Sequence, residues 1–282
     1  MSAINNMLKE IQMLKPMPQV ATQIIKIAED PKSSMADAAD LIMYDPSLTA
    51  NILKLCNSAY FGLSRKVDSV KDAISLLGMD KVVDLVLLKS SAANLKKSSD
   101  GYGLHEGDLW RHAVSSALIA KELAVKKASK NKQLIFTAAL LKDIGKLILD
   151  RYVNDSFVKI NNLVRNEKYS FNEAEKKVIG INHAELGGIV AKTWDFSPKM
   201  VSMITHHHMS DDSVKDDEDI SIIYLADTVC MMIGIGVGSD GLAYRFHKDV
   251  LENMDISPLD LQTIIAGFGD NMRKVEDLIG SV

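Results

Sequence analysis

Asp143 sits in Ala138-Ala139-Leu140-Leu141-Lys142-Asp143-Ile144-Gly145-Lys146-Leu147-Ile148-Leu149, an otherwise apolar stretch broken by charge. An ionised carboxylate in such a segment is expensive unless a cation, a metal or several donors meet it. Lys142 is the local candidate. The others are distant in sequence: His112, His183, the triplet His206-His207-His208, and Asp227, itself inside the apolar run Ile220 to Gly236. Histidine and carboxylate ligate hard and borderline divalent metals. Either these groups hold a metal or they hold one another. Taken singly, His105 and His247 read as exposed or loop histidines, His112 as a satisfied helix histidine, and the triplet as a polar helix end. Taken as a set, the positions could converge in the core of a helical bundle.

The elements that must bring them together read as helices almost throughout. Apolar residues recur at three- and four-residue spacing and alternating strand patterns are scarce. The fold class is therefore all-α, a multi-helix bundle. Asp45-Pro46, Ser69 and the Ser170/Glu173 pair are expected helix starts, and Gly78 and Gly180 are expected stops. Ser34 is an expected cap, and Pro16 and Asp30-Pro31 are expected breaks. A helix holding His112 is expected from 106 to 127, another from 154 to 167, and one around Asp227 from 221 to 233, with 211–219 as a charged loop. The polar, glycine-bearing stretch from Lys96 to Gly103 marks a boundary. This gives an N-terminal helical lobe at 1–95, a linker at 96–106 and a second lobe at 107–282.

Composition narrows the function classes. A net charge of -4 gives no reason to expect nucleic-acid binding. The longest apolar run contains Asp227 and is too short for a membrane span, and no secretory signal is expected. The two cysteines, Cys56 and Cys230, lie in apolar runs without CxxC spacing, as buried reduced thiols do. The expectation is a soluble cytoplasmic protein.

The order His112, Lys142-Asp143, His183, His207-His208, Asp227 resembles the HD superfamily of metal-dependent phosphohydrolases. Asp143-Ile144-Gly145-Lys146 is similar to the tail of the His-Asp-Ile-Gly-Lys motif of the HD-GYP branch. Met17-Pro18, Asp30-Pro31, Asp45-Pro46-Ser47-Leu48-Thr49-Ala50, Asn57-Ser58-Ala59-Tyr60-Phe61-Gly62, and Ala73-Ile74 with Leu77-Gly78 resemble the first half of the HDOD domain, the HD-related output domain of bacterial signalling proteins. The resemblance spans roughly residues 8 to 270. It implies an all-helical fold, with an HD-like C-terminal half packed on an N-terminal helical half. It also implies a regulatory rather than catalytic role, with a signalling protein as partner.

Carried over by position, the resemblance implies a metal set of His112, Asp143, His183, His207, His208 and Asp227, holding one divalent ion (Fe, Mn, Zn, Ni or Mg) if any. The chain departs from the motif at Lys142, which stands where the enzymes have histidine and supplies no lone pair while protonated. No glycine-tyrosine-proline loop follows His208. No catalytic residue is therefore assigned. Lys142 and Lys146 are candidate ligand-binding residues, Lys146 for a phosphate. The competing readings are a surviving phosphohydrolase, in which Asp143 and the later histidines hold one metal, and a metal- or redox-responsive sensor. The sequence leaves the oligomeric state open.

Two further expectations are specific enough to test. The Lys142 ammonium either pairs with Asp143, Asp227 or both, in place of a lost metal, or points outward along its flexible stem. Asn57, Tyr60 and Phe61 either present a partner surface at a helix end or anchor the two halves together.

Overall fold

The computed structural model describes residues 2–14, 17–29, 35–58, 60–243 and 247–281. The breaks expected at Pro16 and Asp30-Pro31 and the cap expected at Ser34 lie outside the described residues. Among those described, the chain is helical with no strand, and its one isolated β-bridge joins Ser99 and Leu104. The helices are α1 (Ser2–Met13), α2 (Gln19–Glu29), α3 (Met35–Met43), α4 (Pro46–Cys56), α5 (Val70–Leu77), α6 (Met79–Leu95), α7 (Asp108–Lys126) and α8 (Lys132–Leu141). They continue as α9 (Lys146–Glu167), α10 (Phe171–Ile179), α11 (His183–Thr193), α12 (Pro198–Thr205), α13 (Glu218–Met232), α14 (Lys248–Asn253) and α15 (Pro258–Ser281). None of the described helices is long and apolar enough to cross a membrane.

Local chemistry sets many of the boundaries. The Asp45 carboxylate accepts from Leu48 N at 2.9 Å, with Pro46 at the first helical position of α4. Ser69 accepts from Asp72 N at 3.0 Å, and Gly78 ends α5 at φ +83°. Ser170 with Glu173 and Asn182 with Glu185 form capping boxes that open α10 and α11. Two boundaries differ from expectation. Helix α9 begins at Lys146 rather than near Asn154, because only the turn at 142–145 separates it from α8. Helix α13 begins at Glu218, because the Asp217 carboxylate caps Asp219 N and Ile220 N and turns the end of the charged loop into a first helical turn.

The chain divides into two compact units. One comprises Met1–Pro16 and Asn94–Ile265 and the other Met17–Ala93 and Ala266–Val282. In the first, α7 packs on α8 and α13, α8 meets α12 and α13, and α11 lies on α12. Every residue of α13 from Asp219 to Cys230 is buried, as befits a helix apolar on all sides. Residues 96–106, read from composition as a linker, place Gly101 and Tyr102 in the interior of this unit, and Tyr102 is 0% exposed. In the second unit α3 packs on α2, α4 and α5. Both cysteines are buried, and burial pushes both thiols up, that of Cys56 to about 11, so neither is poised to react.

Candidate functional site

All the candidate ligands lie in the first unit, and the geometry begins with the turn between α8 and α9. Residues 142–145 are not helical but form a tight turn, with Ile144 N donating to Leu141 O and Lys146 N to Asp143 O, both at 2.9 Å. Adjacent side chains on a helix diverge by about 100°; in this turn Lys142 and Asp143 both point inward and are 1% and 2% exposed. The turn lies against the start of α11. A Cβ on Gly145 would collide with the His183 carbonyl oxygen, and one on Gly187 would meet Lys142 O at 3.3 Å. Gly145 is therefore required for the close backbone approach, and Gly187 packs tightly beside it.

The Lys142 ammonium pairs with Asp143 Oδ2 and, at 2.6 Å, with Asp227 Oδ1. It is the cation that the buried acid required, and the outward alternative does not occur. Lys146 is also turned in, at 2.9 Å from Asp143 Oδ1 and 2.6 Å from Asp240 Oδ2, with its ammonium 5.4 Å from the centre of the Tyr102 ring. Both lysines are thus committed to internal carboxylates. Burial alone would raise the pKa of Asp143, but Lys142 and Lys146 outweigh it and hold the carboxyl well below its ordinary range. The same balance, with Lys142 and His112 as the lowering partners, keeps Asp227 ionised. Burial would lower the pKa of Lys142, yet Asp143 and Asp227 raise it above the usual lysine value.

His112 enters from α7. Its Nδ1 is 2.8 Å from the Ile235 carbonyl and its Nε2 is 2.8 Å from Asp227 Oδ1. A carbonyl and a carboxylate only accept, so the ring meets both as a double donor. His183 opens α11, and its Nδ1 donates to Glu175 Oε2 at 2.7 Å. Glu175, 0% exposed, also accepts from His183 N at 3.0 Å and from the Tyr102 hydroxyl at 2.6 Å. His183 Nε2 is 2.8 Å from His208 Nε2 and 3.7 Å from Asp143 Oδ1. His207 donates from Nδ1 to Ile204 O at 2.8 Å. Burial holds the His207 ring down to about 3 and that of His208 well below its usual value, so both are neutral near pH 7.

Six expected ligands therefore converge as two groups, His112 with Asp143 and Asp227, and His183 with His207 and His208. Within each, donor atoms lie within 4.8 Å of one another. Among these six side chains, two buried acceptor atoms have no hydrogen-bond partner, Asp227 Oδ2 and His207 Nε2. The fit to a metal differs between the groups. In the first, Lys142 occupies the space between the acids and His112 presents donors, so a cation fits poorly. In the second, a neutral ring directs an unused lone pair inward, and a cation fits. His206 caps the end of α12 and lines a pocket of about 510 Å³ that His208 also lines. His105 is exposed and His247 caps α14, as their bland readings had it.

Three members of the cluster were not singled out in the sequence. Glu175 had a signal, since it lies four residues from buried Phe171 on the inward face of α10. Tyr102 and Asp240 had none, being in glycine-bearing segments without periodicity.

Asn57, Tyr60 and Phe61 lie in the second unit. The Asn57 side chain donates to Val67 O and accepts from Val67 N, both at 2.8 Å, closing the loop after α4. Tyr60 and Phe61 are half-buried and meet edge to face at 4.9 Å. Ala59 is outside the described residues.

Comparison with known proteins places these features in a wider group. The HDOD domain profile matches residues 14–210, ending before Asp227 and Asp240. An uncharacterized protein of Treponema pallidum (strain Nichols) is 23% identical over 197 residues, covering 68% of this chain and 37% of that protein's length. The fold is similar to that of an HDOD domain protein of unknown function from Geobacter sulfurreducens, with TM-score 0.77 and 22% identity, covering 99% of this chain and 96% of the other. It is also similar to a candidate signal-transduction protein from Marinobacter aquaeolei VT8 (TM-score 0.76, 21% identity, 97% and 61% covered). A candidate phosphohydrolase from Shewanella amazonensis SB2B has TM-score 0.67 at 21% identity, with 98% and 97% covered. At such identities these likenesses show the fold.

Proposed function

Since the chain belongs to the HDOD family, we propose that it is a regulatory output module of signal transduction, working through a signalling protein partner and not by hydrolysing a phosphodiester. The observation that carries this reading is Lys142. Its ammonium bridges Asp143 and Asp227, the two acids that a hydrolytic metal centre of this kind would use. A two-metal centre holds its ions about 3.5–4 Å apart and needs anionic or neutral ligands around both. Here one ligand is replaced by a fixed positive charge that repels an incoming ion, and His112 faces Asp227 as a donor. Lys146, the side chain suited to a substrate phosphate, is held by Asp143 and Asp240 in the interior. The partner surface we assign to Tyr60 and Phe61, on the loop that Asn57 closes. A small ligand acting alongside the partner has a place in the pocket lined by His206 and His208.

The test is an assay of purified protein with cyclic dinucleotides and a chromogenic phosphodiester, in the presence of Mn²⁺, Fe²⁺, Ni²⁺, Zn²⁺ or Mg²⁺. Turnover no higher than that of Asp143→Ala is expected. Metal-dependent turnover that Asp143→Ala abolishes overturns the reading.

A further inference from the structure

We propose that residues 236–241 form a strap, hinged at Gly234 to Gly236, that opens and closes as one unit, with the Asp240–Lys146 ion pair as the latch that holds it shut over Lys146. The strap lies beyond residue 210, where the match to the HDOD profile ends. It leaves the end of α13, crosses the start of α7 and the 102–104 loop, and enters the short helical turn Ser239–Ala243, which packs on α10. The chain on either side is fixed. Ile235 N donates to Cys230 O at 3.0 Å and Ile235 O accepts from His112, and beyond the strap His247 N donates to the Tyr224 hydroxyl at 2.8 Å.

Between these anchors the strap buries little of its own. Gly236, Gly238 and Gly241 are three of its six residues, Val237 is exposed, and the buried side chain is that of Asp240. Glycine loses more freedom on ordering than any other residue and brings no side chain to offset that loss. Such a segment belongs to the low end of local stability. Gly234 and Gly236 hold φ at +76° and +56°, a region open to glycine, so the backbone turns there without strain. The closed position needs glycine for a second reason. A Cβ on Gly236 would collide with Asp108 O, and one on Gly238 with Tyr102 O.

Charge decides which contact can serve as the latch. Asp143, Asp227 and Asp240 are buried with Lys142 and Lys146 as their ammonium partners. Breaking a buried pair is costly where it leaves a charge alone in the interior. The Asp240 pair escapes that penalty. When Asp240 withdraws, Lys146 keeps Asp143 Oδ1 at 2.9 Å, and the Asp240 carboxylate moves out to water with the strap. Opening therefore brings solvent to Lys146, now 3% exposed, and leaves Lys142 held between Asp143 and Asp227. The inference does not depend on the regulatory reading, since the latch closes this side of the centre whatever the centre does.

Slow acetylation of the whole folded protein by N-hydroxysuccinimidyl acetate, read lysine by lysine by mass spectrometry, tests the strap. In wild type Lys146 should label faster than Lys142, at a rate insensitive to urea below the unfolding transition, because a local opening exposes little surface. Asp240→Asn removes the latch and should speed Lys146 by roughly 10- to 100-fold, as expected for losing a hydrogen bond between charged groups, with Lys142 still slow. That variant also alters the charge beside Lys146, so Gly238→Ala is the control. It keeps Asp240, forces the strap off the Tyr102 carbonyl, and should speed Lys146 with the same selectivity. Lys142 and Lys146 labelling in step in wild type, a Lys146 rate that rises with urea as unfolding does, or acceleration in Asp240→Asn without any in Gly238→Ala overturns the proposal. The wild-type comparison stands even where a variant fails to fold.

Discussion

Lys142 shows what one residue does when it replaces a ligand. A histidine offers a lone pair and leaves the surrounding acids to be neutralised by metal, whereas a lysine brings its own charge. Its need was legible in sequence, because a carboxylate in an apolar segment must have a cation. Its orientation was not, since helical geometry left both the inward and the outward reading open. Two substitutions separate charge from shape. Lys142→Met leaves Asp227 with His112 alone and should destabilise the protein by about 3–5 kcal/mol, the usual effect of removing one member of a buried pair. Lys142→His restores the motif; it should melt lower than wild type without metal and regain stability when Mn²⁺ or Ni²⁺ is added, because an ion bound only by the folded state stabilises it. A melting temperature for Lys142→His that ignores divalent metal counts against the charge-surrogate role.

His207 gives a pH signature at the same scale. Burial lowers its pKa from 6.5 to about 3 in the folded state, so between those values the unfolded chain takes up a proton that the folded chain refuses. Stability of the metal-free protein is therefore complete above about pH 6.5 and falls as pH drops toward 3, by up to about 1.4 kcal/mol per unit for this group. Urea titrations at pH 7, 6, 5 and 4 should show that decline, with a shallower slope in His207→Gln. Equal slopes would assign the loss to other groups.

Among the elements, the turn at 142–145 does most to build the centre. It lets neighbouring residues share one direction, and its glycine admits α11 close enough to set His183 Nε2 at 3.7 Å from Asp143. Pattern reading found the helices on either side, because caps such as Asp45, Ser69 and Ser170 act through their own neighbours. It missed the early start of α9, since an apolar run reads alike through a turn and a helix. Gly145→Ala should therefore destabilise by about 3 kcal/mol, the upper range for forced overpacking. The approach of α11 should be loosened with it, seen as faster amide hydrogen exchange over the first turn of α11. An Ala variant as stable as wild type would mean that the turn and α11 can separate without penalty.

At the scale of the whole molecule, the all-helical class followed from periodicity, and the histidine–carboxylate set from residue type. The membership of each unit did not, because it rests on contacts far apart in sequence. Helix α1 joins the unit of the later helices, where Glu10 meets Arg151 at 3.0 Å, and Tyr102 is drawn inside by Glu175. In the other unit, Asn57 and the aromatic pair after it divide two tasks that the sequence left undivided. Asn57 closes the 57–67 loop with two hydrogen bonds to the Val67 backbone. Asn57→Ala should lower stability by about 1–3 kcal/mol, since it leaves these backbone groups unpaired. Tyr60 and Phe61 are half-buried and touch each other, so Tyr60→Ala removes one edge-to-face contact, worth roughly 0.5–1.5 kcal/mol beyond area burial. If these rings form the partner surface, Tyr60→Ala should melt within a few degrees of wild type and fail to capture the signalling protein that wild type captures from its native cell. A large fall in melting temperature, with capture intact, would instead give Tyr60 the anchoring role.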